Sequence, residues 1–149
     1  MKKRILTWLL LVTISTGSAF ANEETVSQQV LNSFKKEFVD AKDVNWQSTK
    51  DYIKATFSLN DQVMFAYYSQ SGDLLAVTRN ISSEKLPISL LTSLKKNYGS
   101  YWITELFEMV ADGNGSYYIT LENADVELVL KSDEFGGWEV YKKFKKNAA

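Results

Sequence analysis

Phe34-Lys35-Lys36-Glu37-Phe38 decides the fold, because Leu94-Lys95-Lys96-Asn97-Tyr98 repeats its pattern of a lysine pair set between apolar residues. The residues after each stretch also correspond. Tyr52 to Leu59 answers Tyr117 to Leu121, Val63 to Tyr67 answers Val126 to Leu130, and Gly72-Asp73-Leu74-Leu75 answers Gly137-Trp138-Glu139-Val140. The offset drifts from about 60 to about 65 residues, as insertions in turns would produce. The chain reads as one helix-then-strands unit used twice, with repeats spanning 22–81 and 82–145 in approximate terms.

Around the first motif, Val26, Val30, Phe34 and Phe38 recur every four residues, and Leu31 widens the stripe. That spacing predicts an amphipathic helix ending near Asp40, with Gln28, Gln29, Lys35, Lys36 and Glu37 facing water. The second helix is expected after Ser82-Ser83, whose hydroxyls suit a cap, with Pro87 near its first turn, where a missing N–H costs least. Its buried stripe reads Ile88, Leu91, Leu94 and Tyr98, and Gly99 ends it.

Between the helices the apolar period falls to two. Ile53, Ala55, Phe57 and Leu59 alternate with Tyr52, Lys54, Thr56 and Ser58, the mark of a half-buried strand. Asn60-Asp61 signals a tight hairpin into Val63, Phe65 and Tyr67, and Ser71-Gly72-Asp73 turns the chain into Leu74 to Arg79. In the second half, strands are read at Tyr117 to Leu121, Val126 to Leu130 and around Trp138 and Val140. Val44-Asn45-Trp46 and Ile103 to Met109 supply the strand that opens each half. Trp46, Trp102 and Trp138 fall near strand starts and read as core or rim packing. The architecture predicted is α+β: two tandem helix-plus-antiparallel-strands repeats, the helices packed on one face of a curved antiparallel sheet. The other face should meet solvent, as antiparallel sheets allow.

The flanking segments set where the chain works. Met1-Lys2-Lys3-Arg4, the apolar run Ile5 to Ile14 and Ala19-Phe20-Ala21 read as a signal peptide at residues 1–21, cleaved after Ala21. The apolar run is about half the roughly 20 residues that a membrane-spanning helix needs, so no membrane anchor is expected in the mature form. Residues 22–149 would then form a single domain of 128 residues, the 149 of the chain less 21. The leader removes three basic residues and no acidic ones, leaving 14 against 18 and a formal charge of −4. That balance argues against nucleic acid as a partner, since phosphates call for a basic surface. The sequence contains no cysteine, so no disulfide staples the exported domain and no lipidated cysteine tethers it. A periplasmic or secreted location is the expectation.

The chain has no histidine either, which removes the commonest general base and, with cysteine, two of the best metal ligands. Glu105 with Glu108 and Asp133 with Glu134 are carboxylate pairs of the kind that surface turns produce routinely. Asp112-Gly113-Asn114-Gly115-Ser116 begins like a calcium loop, but Tyr117 stands where the loop needs glycine and Asn123 where it needs glutamate. Neither catalysis nor any cofactor is expected.

Binding is what remains. By alternation the solvent face should carry Tyr52, Lys54, Thr56, Met64, Ala66 and Tyr68 from the first half. Tyr118, Thr120, Glu122, Glu127, Val129 and Lys131 should carry it in the second. Tyrosines and a methionine on a wet sheet resemble a protein-binding surface, because aromatic rings give large contact area at small entropic cost. Any one of these tyrosines is equally at home as an ordinary strand residue. The residues expected to contact a partner are Tyr52, Met64, Tyr68 and Tyr118, with Lys54 and Glu127 orienting it.

Taken in order, these features resemble the exported, PepSY-like bacterial family related in fold to β-lactamase-inhibitor proteins and common in Bacteroidetes. Phe34 and Phe38 end the helix, and Ala41-Lys42-Asp43-Val44-Asn45-Trp46 matches the family's A-x-x-V-x-W pattern. The strand holding Tyr52, Ala55 and Phe57, the Gly72-Asp73-Leu74 turn and Leu86-Pro87 come next, and then Leu94 to Tyr98 and Ile103-Thr104-Glu105. The resemblance runs from about Val26 to Tyr141, and departs where Tyr98-Gly99 replaces a frequent Tyr-Pro. It implies the tandem-repeat α+β fold and, by analogy, a binding or inhibitory role. The expected partner is therefore an unidentified protein in the periplasm or outside the cell. A carrier of a small apolar ligand and a structural component of the envelope stand as alternatives.

Overall fold

The computed structural model describes residues 26–133 and 136–147. The expected leader, its cleavage after Ala21, and Glu134 lie outside the described residues. Two helices and eight strands are present among those described. Helix α1 (Gln28–Glu37) precedes β1 (Lys42–Ser48), β2 (Ile53–Leu59), β3 (Gln62–Tyr68) and β4 (Leu74–Asn80). A 3-10 turn at Ser83–Lys85 then leads to α2 (Ile88–Tyr98), β5 (Trp102–Ala111), β6 (Asn114–Glu122), β7 (Val126–Asp133) and β8 (Glu139–Lys145). The strands form one eight-stranded sheet in sequence order, β1 to β8. This is the expected α+β class with an antiparallel sheet. The described residues divide into two compact units, one of 26–61 with 65–75, the other of 62–64 with 76–133 and 136–147.

In the first unit, Ser27 caps α1 by accepting the Val30 amide on its Oγ at 3.4 Å. Val30, Leu31 and Phe34 form the buried stripe. The Phe34 ring meets Trp46 of β1 at 5.1 Å and Phe57 of β2 at 5.0 Å, both edge-on, and Phe38 at 5.3 Å. Such aromatic pairs add about 0.5–1.5 kcal/mol each beyond their burial. Gly72, at φ 92°, lets the β3–β4 turn come against the helix: a Cβ there would stand 3.1 Å from the Gln29 backbone. The Ser33 hydroxyl donates to the Gly72 carbonyl at 2.7 Å and fixes that approach.

On β2 the alternation is as read, with Ile53, Ala55 and Phe57 buried. On β3 the phase is the reverse of the expectation. Asn60 and Asp61 both take positive φ, 50° and 61°, which is a two-residue hairpin turn. Counting outward from that turn sets Ala66 opposite Ala55 and Tyr68 opposite Ile53, on the core side. Ala66 and Tyr68 are indeed buried, and Val63 is exposed.

In the second unit, Pro87 stands at the N-cap of α2, beside its first turn as expected. The expected stripe is corrected at its start: Leu90 and Leu94 are the buried residues, with Leu86 ahead of them, while Ile88 is 83% exposed. These leucines pack on Leu106, Ile119, Leu121, Leu128 and Leu130 of β5, β6 and β7. The Trp138 indole N–H donates to the Leu90 carbonyl at 3.0 Å, tying the segment before β8 to α2. Asp112 and Gly113, at φ 50° and 76°, make the β5–β6 hairpin turn in the segment that resembles the start of a calcium loop.

Candidate functional site

Each unit presents a sheet surface on the side away from its own helix, and each carries a lysine set against aromatic rings. In the first unit, Lys54 of β2 points away from the core by alternation, and Phe65 and Tyr67 join it from β3. The Lys54 ammonium lies 4.6 Å from the centre of the Phe65 ring and 5.8 Å from that of Tyr67. Burial of its stem against these rings pulls the Lys54 pKa below its ordinary value. Tyr52 packs edge-on against Tyr67 at 5.6 Å, and its backbone N–H donates to the Thr49 hydroxyl at 3.1 Å.

Three of the tyrosines expected on an open face are buried, which corrects their placement. Tyr52 is 5% exposed, Tyr68 0% and Tyr118 2%. The causes differ. Tyr52 is covered within the cluster just described; burial first, and then the charge of Asp51, push its phenol up. Tyr68 lies on the opposite side of the sheet, near Trp46 at 6.5 Å, because of the hairpin register. Its hydroxyl has no hydrogen-bond partner among the described residues, and burial, with a smaller contribution from Glu37, drives its pKa far up. Met64 shares the β3 phase of Tyr68 and is half-buried. The first unit therefore brings Tyr52 and Lys54 together and sends Ala66 and Tyr68 to the other side.

Tyr118 does sit on the side away from α2, but neighbouring side chains close over it. Phe107, its register partner on β5, stacks on it at 5.2 Å and 12°, and Tyr141 meets it edge-on at 5.8 Å. The Lys131 ammonium, from its partner on β7, stands 5.5 Å from its ring centre. Two further cross-strand rows continue this surface. One runs Glu105–Thr120–Val129–Lys142, and the next runs Trp102–Glu122–Glu127–Phe144. Trp102 is 66% exposed and Phe144 47%, so the outer row offers two large rings to solvent with two carboxylates between them. Lys146 pairs with Glu122 at 2.8 Å. Burial, and then the charge of Glu127, hold the Glu105 carboxyl above the usual range.

Glu127 and Lys54 thus lie on the surfaces away from the helices, as expected. Phe65, Tyr67, Phe107, Trp102 and Phe144 join them, although their strand positions alone do not mark them for binding. Trp102 corrects the reading of the tryptophans as packing residues: Trp46 is core and Trp138 partly buried, but Trp102 is open. Its position at a strand start does not reveal this, because Trp102 opens β5 one residue before a register shift between Ile103 and Glu105. Among the described residues no cluster of three or more acidic side chains could hold a metal ion, and no helix is long and apolar enough to cross a membrane.

No family model matches the chain, and no curated protein matches it in sequence. Solved structures share its fold. A DUF2874 family protein from Bacteroides ovatus superposes with a TM-score of 0.72 at 17% identity, over 81% of this chain and 88% of that one. A BLIP-like protein from Bacteroides fragilis gives 0.69 at 16%, over 83% and 88%. A Bacteroides eggerthii protein, provisionally described as periplasmic, gives 0.70 at 12%, over 80% and 88%. The expected likeness to this group of Bacteroides proteins is thereby found at the level of the fold.

Proposed function

We propose that the protein is an exported, non-catalytic binding module that holds another protein on the sheet surface away from α2. The observation that carries this reading is the exposure of Trp102 and Phe144 at either end of one cross-strand row. Large rings left in water on a regular strand surface are the residues that dominate protein interfaces when buried. Two rows further along the same surface, Tyr118, Phe107 and Lys131 form a packed cluster. In this reading the buried tyrosines hold the surface in shape, and the contacts come from the outer row. In the first unit, Lys54 over Phe65 is the corresponding polar handle, with Tyr52 bracing it.

Export is supported by the leader-like sequence at residues 1–21 and by the description of the Bacteroides eggerthii structure. A role as inhibitor or regulator of a periplasmic or secreted protein is supported by the fold shared with the BLIP-like protein. The lack of histidine and cysteine in the sequence supports a role without catalysis.

A pull-down from envelope and secreted fractions of the source cells tests this. The unaltered protein should capture a specific partner. The Trp102→Ala/Phe144→Ala double variant, with an unchanged thermal transition, should lose about 2 kcal/mol or more of affinity, roughly thirtyfold. Equal capture by both proteins would refute this surface as the site. Recovery of a stoichiometric small molecule with no protein would favour a ligand carrier in its place.

A further inference from the structure

The outer row of the second unit contains more charge than its fold requires. Glu122 and Glu127 are direct register partners on β6 and β7, and like charges placed opposite each other weaken strand pairing. Lys146 answers Glu122, but no ion pair reaches Glu127 or Glu105 among the described residues. The nearby lysines are engaged elsewhere: Lys131 lies over Tyr118, and Lys142 lies 5.4 Å from the ring centre of Tyr141. Burial first, and then the charge of Glu127, hold the Glu105 carboxyl above the usual range. At the ends of the same row stand the exposed rings of Trp102 and Phe144.

We propose that the row Trp102–Glu122–Glu127–Phe144 is a receptor for arginine side chains on an exposed basic segment of the partner protein. The inference rests on the binding-module reading above and names the chemistry of its partner. A guanidinium can lay its plane on an aromatic ring while its N–H fork serves a carboxylate, so one side chain satisfies both features of the row. A lysine ammonium supplies the charge without the stacking plane. An apolar partner would strip water from Glu127 and give nothing back, and an acidic one would be repelled.

The test is calorimetric titration of the protein, expressed from its full sequence and purified, with a blocked pentapeptide of alternating arginine and glycine. The same peptide with citrulline keeps the shape and removes the charge. The arginine peptide should bind, and the citrulline peptide should bind about tenfold more weakly or not at all. Glu127→Gln and Trp102→Ala should each weaken the arginine peptide about fivefold or more, with thermal transitions unchanged. Glu37→Gln, on α1, should leave it unaltered. Absence of binding, equal binding of the citrulline peptide, or an equal loss in Glu37→Gln would overturn the proposal; the last would show diffuse charge attraction only. A captured envelope partner that excess arginine peptide fails to displace would also overturn it, while leaving the binding module standing. Failure to capture any partner would count against the module itself.

Discussion

The Tyr68 hydroxyl has left water without gaining a hydrogen bond from any described residue, and a buried unpaired hydroxyl costs free energy in the folded state. Tyr68→Phe removes only that oxygen. It should stabilise the protein by about 1 kcal/mol, seen as a higher midpoint in urea with an unchanged slope. A loss of similar size would show that the oxygen has a partner which the packing does not reveal. The neighbouring rings explain why this residue misleads a reading of the sequence. Tyrosine suits both a strand surface and a strand core, and only the hairpin register assigns Tyr68 to the core. That register was legible, because Asn60-Asp61 is a two-residue turn and counting from it gives the phase of β3. The cover over Tyr118 was not legible in the same way. It depends on Phe107 and Tyr141 from two other strands, and Tyr141 lies in the register shift between Val129–Lys142 and Leu130–Val140.

The helices show how two overlapping apolar stripes on one segment can compete for the core. The stripe Ile88, Leu91, Leu94, Tyr98 and the stripe Leu86, Leu90, Leu94, Tyr98 share two residues, and the sheet takes the second, leaving Ile88 in water. The spacing Leu86, Leu90, Leu94, Tyr98 is itself an unbroken four-residue period, so the sequence holds the correct face beside the misleading one. The two assignments predict different mutants. Leu90→Ala should cost about 2–5 kcal/mol through lost burial and a cavity, while Ile88→Ala should stay within about 0.5 kcal/mol. Urea unfolding of both variants decides the matter, and comparable losses would contradict the packing of α2. In α1 the period Val26, Val30, Phe34 leaves one face only, and that face is buried.

For the whole molecule, the apolar periods and turn residues are enough to set the class, the element order and the Asn60-Asp61 hairpin. They can do so because apolar period and turn chemistry are local properties. Surface function is not local: it depends on which side chains cross-strand neighbours cover, and so Trp102 and Phe144 emerge only from the assembled sheet. The central claim is that a partner docks on the sheet surface away from α2. Site-directed photocrosslinking tests it directly, with a photoreactive phenylalanine analogue placed at Trp102, at Phe144 or at Ile88 in the producing cells. Ile88 is the control, an exposed apolar residue on the helix itself. The account predicts one discrete higher-mass adduct from positions 102 and 144 and none from 88. An adduct from 88 alone, or none from 102 and 144 with the protein folded and exported, would contradict it.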